Sequence, residues 1–168
     1  EKSEDPFFTV IWYGSPHFPF RASEADKAPF LAEGLDDRLA SQLGEITAID
    51  RSVGMLRAGL RELGVADNTL IWYCGDNGGL KDDPDSGGIL QGNKGSLFEG
   101  GIRVPGIIEW PGGVEPGVTD FPASTMDIMP TLVDLLDLAA DSQLGVVDGE
   151  SITALFEGKE PSRSHGIP

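Results

Sequence analysis

Cysteine is almost missing from this chain: Cys74 stands alone among 168 residues. An internal disulfide is therefore excluded, and cysteine usage says nothing of the redox compartment. Basic residues are scarce too, 12 Lys+Arg against 28 Asp+Glu, for a formal charge of −16. A surface this acidic repels phosphate backbones and anionic headgroups, and no Lys/Arg cluster offers a local exception, so nucleic acid and membrane surfaces are poor partners. Long apolar runs are lacking as well. No stretch approaches the roughly 20 residues that cross a bilayer, and Glu1-Lys2-Ser3-Glu4-Asp5 has neither the basic start nor the apolar core of an export signal. What remains suits a single compact domain, since 39% of the residues are hydrophobic.

Phe7 to Tyr13, FFTVIWY, is rich in β-branched and aromatic residues and lies between Pro6 and Gly14-Ser15-Pro16, which predicts a buried strand. Ser15 to Glu33, with Pro16, Pro19 and Pro29 and little periodicity, reads as a long loop. Leu39, Leu43, Ile46, Ile49, Val53, Leu56, Leu60 and Leu63 then recur at steps of three and four, the signature of an amphipathic helix. Asp36 or Asp37 can cap it, and Gly64 can close it in the left-handed conformation. Thr69 to Cys74 predicts a second buried strand; strand, helix, strand in this order implies a right-handed crossover and a largely parallel sheet. Gly75 to Gly101 is glycine-rich and too long for an ordinary connection, so it reads as a functional loop. Ile102 to Trp110 looks like a strand interrupted at Pro105. Ser124 or Asp127 can cap a second helix, with Pro130 in its first turn and Leu132, Val133, Leu135, Leu136 and Leu138 on its buried face.

Chemistry can sit at three places. Asp76-Asn77-Gly78-Gly79 follows the second strand, where open α/β sheets place their ligands. A carboxylate beside an amide carbonyl supplies hard oxygen donors for Ca²⁺ or Mg²⁺, although the same four residues also make an ordinary turn. Gln91-Gly92-Asn93-Lys94-Gly95 sets one lysine among glycines, where exposed amides and an ammonium can hold an anion or simply face solvent. His17, just past the first strand, is suited to proton transfer near neutral pH. Their convergence says more than any member.

Blocks in fixed order across the chain resemble the C-terminal part of sulfatases, the arylsulfatase branch of the alkaline-phosphatase superfamily. They are Pro6-Phe7-Phe8 to Pro16-His17-Phe18-Pro19-Phe20, Asp50-Arg51-Ser52-Val53-Gly54, and Asn68-Thr69-Leu70-Ile71 to Gly75-Asp76-Asn77-Gly78-Gly79. The most specific, Gly92-Asn93-Lys94-Gly95-Ser96-Leu97-Phe98-Glu99-Gly100-Gly101-Ile102-Arg103-Val104-Pro105, is followed by Trp110-Pro111-Gly112, Asp127-Ile128-Met129-Pro130-Thr131 and Asp148-Gly149-Glu150-Ser151.

The resemblance implies an α/β, alkaline-phosphatase-like fold in which a central, largely parallel sheet is flanked by helices, here as a partial domain. It implies that residues 1–168 are the C-terminal portion of a sulfatase catalytic domain, with the nucleophile-bearing N-terminal half outside them. Asp76 and Asn77 match the family's pair of metal ligands, for Ca²⁺ with Mg²⁺ as the alternative. Lys94 matches a lysine that holds sulfate oxygens, and His17 a histidine beside the sulfate and the leaving oxygen. Glu99, Gly100, Gly101 and Arg103 match structural positions, and Gly75 departs from the serine usual there. The implied activity is hydrolysis of a sulfate ester. The family's formylglycine nucleophile arises in a Cys/Ser-x-Pro-x-Arg motif that does not occur here, so the chain by itself is expected to be inactive and to bind metal fully only in the complete protein. Relatives are commonly exported, which implies a periplasmic or secreted location for the full-length protein. Two alternatives stay open: a phosphonate or phosphodiester hydrolase of the same superfamily, and a non-catalytic binding or assembly module. Uncovered apolar edges would favour a homo-oligomer.

Overall fold

The structure is a computed structural model that describes residues 6–81, 88–139 and 145–167. Part of the expected functional loop, 82–87, lies outside the described residues, as do residues 1–5. The elements in order are α1 (Glu24–Ala32), α2 (Asp37–Glu62), β1 (Ile71–Cys74), α3 (Glu99–Ile102), β2 (Gly106–Glu109), α4 (Ile128–Leu135) and α5 (Thr153–Phe156), with 3-10 turns at Ala66–Asn68 and Thr125–Asp127. Where composition suggests one domain, the chain divides into two compact units. The first is Glu1–Glu62 with Asn77–Arg103; the second is Leu63–Asp76 with Val104–Pro168. No helix among the described residues is long and apolar enough to cross a membrane.

In the first unit α1 is a correction, because it occupies a stretch expected to be loop. Its start is written in Ser23 and Asp26: the Ser23 Oγ accepts from the Asp26 amide at 3.1 Å and donates to the Asp26 carboxylate at 2.7 Å. Pro29 removes one helical amide. A bidentate pair offsets that loss, with Arg51 Nη1 and Nη2 donating to Asp26 Oδ1 and Oδ2 at 2.7 and 2.9 Å and tying the first turn of α1 to α2. The Arg51 hydrogen bonds, with that of Ser23, lower the Asp26 carboxyl to about 2. The caps of α2 are as expected. Asp36 Oδ1 accepts from the amides of Arg38 and Leu39 at 2.9 and 3.1 Å, and Gly64 adopts φ +69° beyond the last turn.

The face that α2 buries only partly follows its apolar stripe: Ile49 is buried and Leu39, Leu43, Val53, Leu56 and Leu60 are half-buried, but the most covered positions are mostly small or polar. Ala40, Ser41, Gln42, Gly44, Glu45 and Ile49 are buried, whereas Ile46 and Leu63 are exposed. Gly44 explains the choice, since a Cβ there would meet the Ala22 Cβ at 2.7 Å and the Asp26 backbone at 3.2 Å. Two chain segments come this close only where the side chain is missing. Glu45 Oε1 accepts from the Arg21 amide at 2.5 Å beside that contact.

Phe7 to Tyr13 is a second correction. These residues join no ladder, and Phe7, Phe8, Val10, Ile11 and Trp12 are exposed, the last at 91%. An apolar run becomes a buried strand only when neighbours cover both its faces; among the described residues Tyr13 meets Ser52 of α2 through a 2.9 Å hydrogen bond, and Phe7 to Trp12 stay exposed and unpaired in any ladder.

In the second unit β1 and β2 form a two-stranded sheet. They pair antiparallel, with Ile71 opposite Glu109 and Cys74 opposite Gly106. The α/β class stands, but the parallel crossover is not formed by the described residues. Pro105 sets the start of β2, as its interruption of the run suggested. The Trp110 indole donates to the Asp67 carbonyl at 3.1 Å and meets Phe156 edge to face at 6.5 Å. Ser124 and Asp127 close a capping box ahead of α4. Leu136 and Leu138, expected on the buried face, are exposed beyond the helix end. Among the described residues the buried hydrophobics are Ala40 and Ile49 in the first unit and Ile152 in the second, a small core for each.

Candidate functional site

Asn77 and Lys94 are held by one backbone knot in the first unit. The Lys94 amide donates to the Gly79 carbonyl at 2.8 Å, and the Gly78 amide to Gly101 at 3.0 Å. The Gly100 amide reaches back to Gln91 at 2.7 Å. The turn after β1, the lysine loop and α3 are thus laced together without any regular element longer than one helical turn.

Glycine makes the lacing possible. A Cβ on Gly78 would run into the Gly100 carbonyl oxygen, one on Gly100 into the Gly92 oxygen, and one on Gly101 into the Ser96 oxygen. Gly92 and Gly95 adopt φ +90° and +88° on either side of the Asn93-Lys94 pair. The Gly100-Gly101 pair therefore shapes the turn by leaving room for two carbonyls, as its match to structural positions implied.

The Asn77 Nδ2 donates to the Gly78 carbonyl at 2.9 Å. This engages the amide nitrogen and turns Oδ1, the atom a hard cation takes, away from that bond. Asp76, exposed at the end of β1, offers a carboxylate. Burial pushes the Cys74 thiol up, and the Asp76 carboxylate adds to the shift. A thiol so held is poorly ionised and a weak nucleophile. Among the described residues no group of three or more His, Cys, Asp and Glu is placed to hold a metal ion. Asp76 and Asn77 fit Ca²⁺ or Mg²⁺ by donor chemistry, and two ligands are a fraction of the roughly six to eight oxygens that Ca²⁺ takes.

His17 sits on a separate, exposed loop of the first unit. Its Nδ1 lies 2.7 Å from the Phe18 carbonyl, an atom that can only accept, so Nδ1 carries a hydrogen and Nε2 is left for proton transfer. Phe18 and Phe20 stack edge to face at 6.0 Å, and the Arg38 guanidinium of α2 lies 5.8 and 5.9 Å from their ring centres. The histidine loop is thus braced against a helix. The structure ties the Lys94 backbone to Gly79, two residues past Asn77, whereas the hydrogen bond of His17 stays within its own loop.

A family model described as Sulfatase matches residues 1–138. The chain belongs to the sulfatase family. The sulfatase chain is 33% identical to steryl-sulfatase from Homo sapiens over 97% of its own length and 28% of that protein. It is 37% identical to arylsulfatase A from Bos taurus over 96% of its own length and 31% of that protein. The solved structure of Ps i-CgsB in complex with k-i-k-neocarrahexaose superimposes with a TM-score of 0.84 at 33% identity, covering 93% of this chain and 34% of that one. The chain spans about a third of the length of the relatives it matches. The alkaline-phosphatase-like fold expected from the motifs is the fold of these neighbours.

Ser96 and the two acid–arginine pairs had not stood out in the sequence. Ser96 Oγ accepts from the Asn93 amide at 3.1 Å. In the second unit Asp127 accepts from Arg163, Glu150 and Ser124 together. Serine three places before aspartate, in both Ser23-x-x-Asp26 and Ser124-x-x-Asp127, was the available signal.

Proposed function

We propose that this chain is the part of a metal-dependent sulfuric ester hydrolase that supplies Lys94, His17, Asp76 and Asn77 to the site, and that it is inactive by itself. The observation that supports the reading best is the Lys94-to-Gly79 hydrogen bond, which ties the anion-holding lysine to the turn bearing Asn77. Cleavage of a sulfate ester places negative charge on the non-bridging oxygens and on the departing oxygen. The Lys94 ammonium stabilises the former. In its doubly protonated, imidazolium form His17 keeps the Nδ1 hydrogen on the Phe18 carbonyl and gives the Nε2 proton to the departing oxygen, leaving the neutral ring. A bound Ca²⁺ would supply further positive charge at the sulfate oxygens. Asp76 and Asn77 would give it two oxygen donors.

The nucleophile lies outside these residues. No Cys/Ser-x-Pro-x-Arg motif occurs, and Cys74, with its thiol pushed up, is no substitute. The test is calorimetry with Ca²⁺ on the chain and its D76A variant, together with an aryl sulfate turnover assay. Weak Ca²⁺ binding that D76A abolishes, with no turnover, is the expected result. Metal-dependent turnover by the 168-residue chain would overturn the claim of inactivity, and Ca²⁺ binding unaffected by D76A would overturn the metal assignment.

A further inference from the structure

We infer that Ser96 is a positioning residue that holds the Lys94 turn in its anion-binding geometry, an inference that rests on reading Lys94 as the group that holds the sulfate oxygens. Ser96 and Asn93 clasp one another across Lys94: the Ser96 amide donates to the Asn93 carbonyl at 2.9 Å, and the Asn93 amide donates to the Ser96 Oγ at 3.1 Å. The two residues between them, Lys94 and Gly95, are thereby closed into a turn. Ser96 is also the packing centre of the knot. A Cβ on Gly92 would run into the Ser96 Oγ, and one on Gly101 would meet that same Oγ at 2.8 Å. Two glycines in separate parts of the chain have given up side chains around this one hydroxyl.

The side chain therefore does two jobs that a larger or apolar residue cannot combine. It fits the space left by Gly92 and Gly101, and it satisfies the Asn93 amide at the start of the turn. The Lys94 amide is committed to Gly79, so the turn is pinned at Asn93, Lys94 and Ser96 in succession. With the Asn93 amide released, the Lys94 turn keeps its tie to Gly79 but loses the clasp that fixes its curvature. The ammonium then samples more directions, and an anion must pay the cost of ordering it.

The experiment uses the full 168-residue chain, isotope-labelled, with inorganic sulfate as the probe. Amide exchange at Asn93, sulfate-induced shifts at Asn93, Lys94 and Gly95, and the Trp110 indole signal as a control for the second unit are followed in wild type and S96A. One hydrogen bond of ordinary strength corresponds to about a threefold to tenfold change. S96A should speed Asn93 exchange and weaken sulfate binding by that factor, with the Trp110 signal unmoved. Wild-type sulfate binding that S96A leaves intact overturns the role of Ser96 alone. A wild-type chain that does not respond to sulfate overturns the anion role of Lys94, and the inference falls with it. Loss of the folded spectrum in S96A would assign Ser96 to folding and overturn the positioning role.

Discussion

Replacing Asp127 with asparagine should be among the most damaging single changes in the second unit. The Asp127 side chain is fully buried, and its partner Arg163 is only 7% exposed. Arg163 Nη1 donates to Oδ2 at 2.8 Å and Nη2 to Oδ1 at 3.1 Å, while the amides of Ser124 and Glu150 donate at 2.7 and 2.9 Å. All four donors converge on one carboxylate. Asparagine removes the charge and turns one acceptor into a donor facing them. Breaking a buried pair from one side costs about 3–5 kcal/mol, because the surviving charge stays buried and uncompensated. For a chain of this size that is a fall in Tm of roughly 6–20 °C. Urea denaturation of wild type, D127N, R163M and the double variant, read by tryptophan fluorescence, measures it. The double variant should lose less than the sum of the singles, since it carries no stranded charge. Burial pulls the Asp127 carboxyl up, but the Arg163 hydrogen bonds and the two backbone amides outweigh it and hold the group below the ordinary 3.8. A carboxyl depressed in the folded state stabilises above its unfolded pKa, near 4, and loses that contribution as pH falls through the folded value. Wild type should weaken below about pH 4 more steeply than D127N. A D127N cost below about 1 kcal/mol, or strictly additive singles, would refute the hub.

The other expectations concern the first unit. In R51M the start of α1 should detach from α2, seen as faster amide exchange over residues 24–32; in wild type the same contact should fade only as pH falls from about 4 towards the Asp26 value of about 2. G78A should disrupt the knot, because its Cβ has no space beside the Gly100 carbonyl; shifts spread over 91–102 are expected, and a spectrum unchanged there would count against the lacing. The exposed Phe7-to-Trp12 run should drive self-association, so W12E should move the chain towards monomer in light scattering. Identical masses for the two proteins would exclude that run as the contact.

Caps and turns were legible in the sequence because they are local. Asp36 and Gly64 bound α2, Pro105 marks the start of β2, and Ser124 with Asp127 leads into α4, each through a bond, a φ value or a residue type that acts over a few residues. Lys94 and Asn77 were recognisable as chemistry, but nothing in their spacing says that the Lys94 amide reaches Gly79. The helix in the proline-bearing stretch had a local start signal in Ser23 and Asp26, but Pro29 spoke against it. The compensating Arg51–Asp26 pair joins residues 25 positions apart. The apolar stripe of α2 was legible in part. Periodicity identifies the helix and places Ile49 on its buried side, but the close approach at Gly44 covers small and polar neighbours more fully than the rest of the stripe.

The two kinds of surface in the first unit follow from this. Its site-bearing part is stabilised by backbone hydrogen bonds between segments and by glycines that admit carbonyl oxygens, devices that work without a large apolar core. Many of its apolar residues face outward, among them Phe7, Phe8, Val10, Ile11 and Trp12 in the N-terminal run, Ile46 on α2, and Leu97 and Phe98 beside the knot. The Phe7-to-Trp12 run takes part in none of the knot's hydrogen bonds, and apolar surface costs about 25 cal/mol for each Å² kept in water, so whatever covers that run contributes folding energy by a different means. Binding at the knot and stability of the unit should therefore respond to different substitutions. S96A is expected to weaken sulfate binding at nearly constant Tm, and W12E to change association and Tm while the sulfate-induced shifts of Lys94 stay as in wild type. Sulfate shifts that track Tm across both variants would mean that the knot is ordered by the apolar cover, and that the glycines and Ser96 are not sufficient to hold it.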